Sequence, residues 1–132
     1  MSDDIIEHII LGKIIWNDDL GSWTGEVNSL KCKLQLEVDD DDIDMAAEHL
    51  QIIIQDYPNR LELLYDQYEE EYHDKKKEKK EQFLSNFKLK TINIGIYEGL
   101  IGDELIFETQ LFGGHFVAVS KSTSGNYSVS QV

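Results

Sequence analysis

The most regular pattern of hydrophobic and polar positions in this chain covers residues 30–38. Apolar and polar side chains alternate there at every position. This period of two is typical of a strand that has one face on a core and the other in water. The β-branched run at residues 9–16 and a shorter run at residues 23–27 precede it, and turn-forming residues separate the three segments. The pattern therefore predicts three strands before residue 39.

Apolar residues then recur at helical spacing, which predicts an amphipathic helix on a sheet. They are Ile43, Ala46, Ala47, Leu50, Ile53, Ile54 and Tyr57. Pro58 disfavours helical geometry at Tyr57, and Asn59 can cap a new start, so a break or a sharp kink is expected there. A second apolar stripe follows at Leu61, Leu64, Tyr65, Tyr68 and Tyr72. Residues 73–82 have no apolar face and are either an exposed continuation of this second helix or a linker.

Strand patterns return after residue 88. Residues 90–97 alternate again, and a loop with Gly99 and Gly102 is expected next. From residue 105 a period of two separates Leu105, Phe107, Thr109 and Leu111 from Ile106, Glu108 and Gln110. The run Phe116, Val117, Ala118 and Val119 is apolar on both faces, which is typical of a central strand. Gly113 and Gly114 suit the turn between these runs, and residues 126–132 are a candidate edge strand.

The predicted order is three strands, two helices and four strands. Because strands and helices are segregated along the chain, we expect an α+β fold with a mostly antiparallel sheet of about six or seven strands and two helices on one face. The strands are expected at about residues 9–38 and 89–131, with the helices at about 42–87. A length of 132 residues suits a single domain over residues 1–132.

Other features of the sequence limit the compartment. No apolar run approaches the roughly 18 residues that a membrane-spanning helix needs. The acidic start of the chain does not resemble a signal peptide. Cys32 is the single cysteine, so no internal disulfide can form, and its place on the apolar side of a strand predicts a small core residue. We therefore expect a cytoplasmic protein.

The formal net charge of −14 is distributed unevenly. Residues 1–72 contain 19 acidic and 4 basic residues, which gives −15, and residues 73–132 contain 7 acidic and 8 basic residues, which gives +1. Such a charge repels nucleic acids and anionic membranes, and it would steer a basic protein towards the acidic half. The alternative is that the charge serves solubility alone.

The densest acidic stretch is Asp39, Asp40, Asp41 and Asp42, with Asp44 close behind. It lacks the glycine and the distal glutamate of a helical calcium loop, so we expect no metal there. Aspartates at the start of a helix cap exposed N–H groups and interact favourably with the helix dipole, which is the favoured local explanation. These five residues are also the candidate contacts to a basic partner.

The sequence contains no arrangement that argues for catalysis. It has no phosphate-binding glycine motif, nucleophile elbow or histidine pair at metal-ligand spacing, so no cofactor is expected. Its four histidines, His8, His49, His73 and His115, are far apart. His115 follows Gly114 in a glycine pair and is the candidate functional imidazole, with Trp23 as a possible neighbour. The alternative for His115 is a packed structural residue.

Two segments resemble a family. They are LGKIIWNDDLGSWTGEV at residues 11–27 and LIFETQLFGGHFVAVS at residues 105–120. Together they resemble the bacterial domain-of-unknown-function family numbered 2262, which has a Leu-Phe-x-Gly-His motif. Here that motif is residues 111–115, with Gly113 where a tryptophan is expected. The resemblance implies a small cytosolic bacterial protein of the kind found among accessory and immunity-like genes.

Two functional hypotheses follow from the sequence. The first is an interaction protein, of the immunity-like class that the resemblance implies, whose acidic half binds a basic protein partner. The second is a small-molecule or metal-binding enzyme built around His115, Trp23 and the acidic run. A pocket that joins those residues would favour the second hypothesis.

Overall fold

The computed structural model describes residues 4–72, 80–110 and 116–131. Within these residues the chain forms eight strands, a 3₁₀ turn and two helices. The strands are β1 (Ile5–His8), β2 (Gly12–Asn17), β3 (Ser22–Val27), β4 (Cys32–Glu37), β5 (Phe87–Tyr97), β6 (Leu100–Thr109), β7 (Phe116–Lys121) and β8 (Tyr127–Gln131). The 3₁₀ turn is Asp40–Asp42, and the helices are α1 (Ile43–Tyr72) and α2 (Lys80–Leu84).

All eight strands belong to one sheet whose spatial order follows the chain from β1 to β8. Neighbouring strands are antiparallel except β4 and β5, which are parallel because the chain crosses over between them through α1 and α2. The α+β class and the mostly antiparallel sheet are therefore confirmed. The expected count of six or seven strands was one or two too low.

The extra strand is β1, which lies before the first apolar run. The strand expected at residues 9–16 corresponds to β2, which begins at Gly12, and residues 5–8 form β1. The turn between them contains Ile9, which is 98 % exposed, and Gly12 supplies a φ of 70°. Isoleucines in a turn give no turn signal in a sequence, since β-branched residues favour strands.

The core lies between the sheet and α1. Corresponding positions of neighbouring strands carry Leu34, Ile92, Leu105 and Val119, and all four side chains are buried. From α1, the buried residues are Ala46, Ala47, Leu50, Ile53 and Leu64. The alternation predicted from Leu105 to Thr109 is observed, and β7 lies between β6 and β8 with Val117, Ala118 and Val119 buried. Gly102 lies within β6, not in the expected loop.

Of the break or sharp kink expected at Pro58, the break is wrong, because α1 is continuous through this residue. Pro58 itself is exposed, and Ile53 and Leu64, on either side of it, are completely buried in the core. A proline inside a helix costs about 3 kcal/mol. Burial of the apolar stripe on both sides of Pro58 outweighs that cost.

The polar segment at residues 73–82 is described only in part. Residues 80–82 belong to α2, and residues 73–79 lie outside the described residues.

Candidate functional site

The acidic run lies at the junction between β4 and α1. Asp39, Asp40 and Asp41 are exposed, and Asp42 is half-buried. The side chain of Asp39 makes no capping hydrogen bond, although its backbone carbonyl accepts one from the N–H of Asp42. The expected capping role is therefore absent at Asp39, where the backbone turn satisfies the N–H instead. Its carboxylate remains in solvent.

Asp44, the last member of the predicted acidic set, has one partner. Its Oδ1 lies 2.7 Å from Nε2 of His8 in β1, and the Asp44 side chain is still 91 % exposed. The other ring nitrogen of His8 accepts a hydrogen bond from the backbone N–H of Ile10 at 3.0 Å. His8 thus connects the edge strand of the sheet with the start of α1. Exposed pairs of this kind contribute little to stability.

An apolar row borders these carboxylates on the solvent side of α1. Met45 is 38 % exposed and Ile52 is 53 % exposed. Because they are seven residues apart, they lie two helical turns apart on one face of α1. Glu48 is exposed between them. We call residues 39–42, Asp44, Met45, Glu48 and Ile52 the acidic helix face.

A second polar cluster is buried beneath α1. Asp103 occupies the core side of β6, and its side chain is fully buried. Arg60 donates two hydrogen bonds to it, from Nη1 to Oδ1 at 2.6 Å and from Nη2 to Oδ2 at 2.8 Å. His49 Nε2 lies 2.7 Å from Oδ2 of the same carboxylate. One carboxylate on the sheet thereby binds two side chains of the helix.

The rim of this buried cluster reaches the sheet edge at β8. Asp56 accepts a hydrogen bond from Arg60 Nε at 3.2 Å and one from the Tyr127 hydroxyl at 2.9 Å. The guanidinium of Arg60 lies 5.1 Å from the centre of the Tyr127 ring, and the Lys121 ammonium lies 5.4 Å from it. Arg60 therefore binds two carboxylates, those of Asp56 and Asp103, and contacts the face of the Tyr127 ring.

Electrostatics in the cluster favour the charged forms. Burial alone would raise the pKa of Asp103, but the hydrogen bonds from His49 and Arg60 outweigh burial and hold that pKa below its usual value. Burial would likewise lower the pKa of Arg60, whereas its bonds to Asp103 raise it. The bidentate Arg60–Asp103 pair is therefore an ionised pair inside the protein.

The cluster contains the residue types of a catalytic Asp–His dyad with an arginine. Its burial, however, is typical of an ion pair that holds a helix on a sheet. All three of its side chains are nearly or fully enclosed, with His49 the most accessible at 10 %. Asp103 is among the residues that line a cleft of about 280 Å³, but His49 and Arg60 do not line it. A substrate cannot reach groups that are packed between a helix and a sheet.

The residues of the enzyme hypothesis are not brought together among the described residues. Trp23 is 2 % exposed, packs edge-to-face on Trp16 at 5.5 Å, and its Nε1 has no hydrogen-bond partner in the described chain. Gly114 and His115 lie outside the described residues. Within the described ranges, no group of three His, Cys, Asp or Glu side chains could hold a metal ion. The hypothesis of a site at His115 stays a prediction.

Sequence reasoning missed Asp103, Arg60 and His49 as a set, although the periodicity contained the signal. Asp103 precedes Leu105 by two positions, so strand alternation places it on the buried face. His49 and Arg60 lie four residues before and seven residues after Ile53, so they share its helical stripe. Charged residues at positions that must be buried predict mutual pairing.

Comparisons with protein-family models, with curated protein sequences and with solved structures gave no match. The resemblance to the family numbered 2262 therefore stays a prediction. Among the described residues, no helix is long and apolar enough to cross a membrane.

Proposed function

We propose that this protein is a protein-binding module whose acidic helix face binds a basic partner protein. The observation that carries the proposal is the apolar row of Met45 and Ile52 beside exposed carboxylates. Surfaces that combine an apolar centre with a charged rim are typical of protein interfaces. Acidity for solubility alone would not require the apolar row.

The expected partner has complementary chemistry. It presents lysine or arginine side chains around an apolar depression that receives Met45 and Ile52. Long-range attraction to the acidic half of the chain raises the association rate, and contact with the apolar row lowers the dissociation rate. In keeping with the family resemblance, we place this interaction in a bacterial cytoplasm, with a toxin-like protein as the class of partner.

The test combines two charge variants of equal net charge. D40K/D41K reverses two carboxylates of the acidic helix face, and D19K/E98K reverses two exposed carboxylates in other turns. Each substitution changes the charge by two, so each variant has a formal net charge of −14 + 4 = −10. Tagged wild-type and variant proteins are used to capture partners from the native cells at low salt.

The location of binding is tested with a photo-crosslinking residue placed at Met45, at Ile52 or at the exposed Ser128 of β8. The proposal predicts one basic protein that D19K/E98K retains, that D40K/D41K loses, and that crosslinks at positions 45 and 52 but not at 128. Equal retention by the two charge variants, or crosslinking only at position 128, would contradict it.

A further inference from the structure

A groove on the side of the sheet opposite α1 gathers most of the lysines in the strands. β4 and β5 are parallel, and their register places Lys33 beside Thr91, the residue after Lys90. Lys31 lies in the turn directly before β4 and Lys33 is the second residue of β4, whereas Lys88 and Lys90 lie in the first part of β5. All four line one open groove with a volume of about 640 Å³. We call it the lysine groove.

The charge of the lysine groove is compensated only in part by its surroundings. Glu26 lines the groove, and Glu108 of β6 lies directly across from Lys88, so four positive charges face two negative charges, a net of +2. In the described part of the chain, none of the four ammonium groups forms an ion pair within 4.0 Å. Four lysines without an ion pair around one groove are unexpected in a protein with a net charge of −14. A bound anion would neutralise the positive charge that the two glutamates leave.

The backbone also departs from regular geometry at this groove. The register between β5 and β6 shifts between Leu89 and Thr91, so two successive residues, Lys90 and Thr91, lie between the buried Leu89 and the buried Ile92. Such bulges re-aim side chains and are frequent beside functional sites. Lys31 adopts a φ of 54°, a conformation that L-residues with long side chains rarely adopt. Both irregularities fall on lysines of the groove.

We propose that the lysine groove binds a small molecule that carries at least two phosphate charges. Lysine ammonium groups are compact point charges that suit phosphate oxygens. Phe116, which is 40 % exposed, lines the same groove and offers an apolar wall to the carbon part of the ligand. The groove lies on the face of the sheet away from the acidic helix face, so this inference is independent of the proposed protein partner.

The ligand is small and not a nucleic acid or a membrane surface. An extended polyanion that reached the groove would also approach the rest of a molecule with a net charge of −14, and that repulsion grows with the length of the polyanion. A small anion experiences mainly the local charge of +2, because other charges are screened beyond about 8–10 Å at physiological salt.

The first experiment measures binding to the wild-type protein by isothermal titration calorimetry at about 0.1 M ionic strength, where the Debye length is about 10 Å. EDTA is present so that lysines and not metal ions neutralise the ligand. The probes are ADP, inorganic pyrophosphate and adenosine. We expect ADP and pyrophosphate to bind, and adenosine, which has no phosphate, to give no signal. Absence of binding by both phosphate probes at millimolar concentration, or binding of adenosine as tight as that of ADP, overturns the proposal.

The second experiment compares K33Q/K90Q with K13Q/K121Q, which removes two lysines outside the groove. Both variants have the same formal net charge of −14 − 2 = −16. Loss of a charge-assisted hydrogen bond weakens binding about tenfold, so K33Q/K90Q should lose at least that factor for ADP, whereas K13Q/K121Q should change less than about twofold. An equal loss in both variants overturns the proposal.

A third measurement does not depend on the variants. In NMR spectra of the wild-type protein, ADP should shift the backbone amide signals of residues 28–33 and 87–91 and leave those of residues 43–60 in α1 unchanged. Shifts confined to α1, or spread evenly over the protein, overturn the assignment of the ligand to the lysine groove.

Discussion

Asp103 is a carboxylate at a strand position whose neighbours on the same face, Leu105 and Phe107, are completely buried. Its environment differs from that of an exposed ion pair because water cannot replace a lost partner. A buried pair is weak evidence for net stabilisation, but removal of one member leaves an uncompensated buried charge. The free-energy cost of removing the Asp103 charge therefore comes from Arg60, which would remain buried as a charge without its carboxylate partner.

We predict that D103N lowers the free energy of unfolding by about 3–5 kcal/mol, the range measured when one partner of a buried pair is removed. The matched control is D56N. Asp56 binds the same arginine, but its side chain is 27 % exposed, so we expect a loss of about 1 kcal/mol or less. Urea unfolding followed by circular dichroism measures both values. A D103N protein as stable as D56N would contradict the ionised pair.

The pH dependence of stability follows from the lowered pKa of Asp103. Because the unfolded chain takes up this proton at a higher pH than the folded protein does, the carboxylate stabilises the fold above its unfolded pKa of about 3.9. That contribution is lost as the pH falls through the lower folded pKa. We predict that the difference in unfolding free energy between wild type and D103N becomes smaller as the pH falls below about 4. A difference that grows as the pH falls from about 4 to 2 would contradict this sign.

For single residues, the sequence predicted which acidic residues are exposed and which apolar residues lie in the core. Cys32 is one of these core residues. Cys32 is buried, and burial raises its pKa to about 11. The periodicity places Asp103, Arg60 and His49 at buried positions, which predicts that they have charged partners, but it does not predict which of these residues bind one another. Their contact depends on how α1 lies across the sheet, which periodicity does not determine.

At the scale of elements, Pro58 is the clearest conflict between local preference and the fold. Pro58 has no N–H to donate to the carbonyl of Ile54, and yet α1 continues past it. Alanine at this position would restore the hydrogen bond and remove the ring clash, but it would also give the unfolded chain more freedom.

We predict that P58A raises the free energy of unfolding by about 2 kcal/mol, the helix gain of about 3 kcal/mol less an unfolded-state term of about 0.4–1 kcal/mol. The control is N59A at the neighbouring exposed position, which should gain about 0.5 kcal/mol from propensity alone. Chemical denaturation measures both variants. A P58A protein less stable than wild type would indicate that the proline itself is needed for the path of α1.

Gly25 in β3 lies where the neighbouring strand β2 approaches closely. A Cβ at this position would lie 3.0 Å from Cγ2 of Ile14 and 3.1 Å from the carbonyl oxygen of Lys13. Since the carbonyl belongs to the backbone of β2, it cannot move away as a side-chain end can. We predict that G25A costs about 1–3 kcal/mol, measured by thermal unfolding. G102A is the control, because a Cβ there meets its nearest atom at 3.5 Å, and a cost at Gly102 as large as that at Gly25 would contradict the steric cause.

The elements themselves were largely predictable, because alternation and helical spacing report directly on burial. The failures share one cause, which is that tertiary packing outweighed a local preference. Ile9 and Ile10 lie in a turn despite their strand preference, and Pro58 lies in a helix. The parallel pairing of β4 with β5, which brings the lysines of the groove together, is a property of the sheet order and leaves no local signal.

At the scale of the whole molecule, the fold separates charges that the sequence mixes. The lysines at the starts of β4 and β5 meet on one face of the sheet, and the carboxylates at the start of α1 lie on the solvent side of the helix that covers the other face. The excess negative charge therefore comes from many exposed carboxylates that have no close positive partner. These carboxylates repel one another. Screening by salt should relieve their repulsion.

We predict that the free energy of unfolding rises by on the order of 1 kcal/mol between about 0.02 and 0.5 M NaCl, because self-repulsion is screened while the buried Arg60–Asp103 pair is not. Urea titrations at a series of NaCl concentrations measure the slope, and NaCl is used because sulfate would strengthen apolar burial as well. D40K/D41K and D19K/E98K, both at a formal net charge of −10, should each show a smaller slope than wild type. If stability instead falls with salt, favourable exposed pairs such as His8–Asp44 outweigh the repulsion. If D40K/D41K alone flattens the slope, the repulsion is concentrated on the acidic helix face, which is where a basic partner would relieve it.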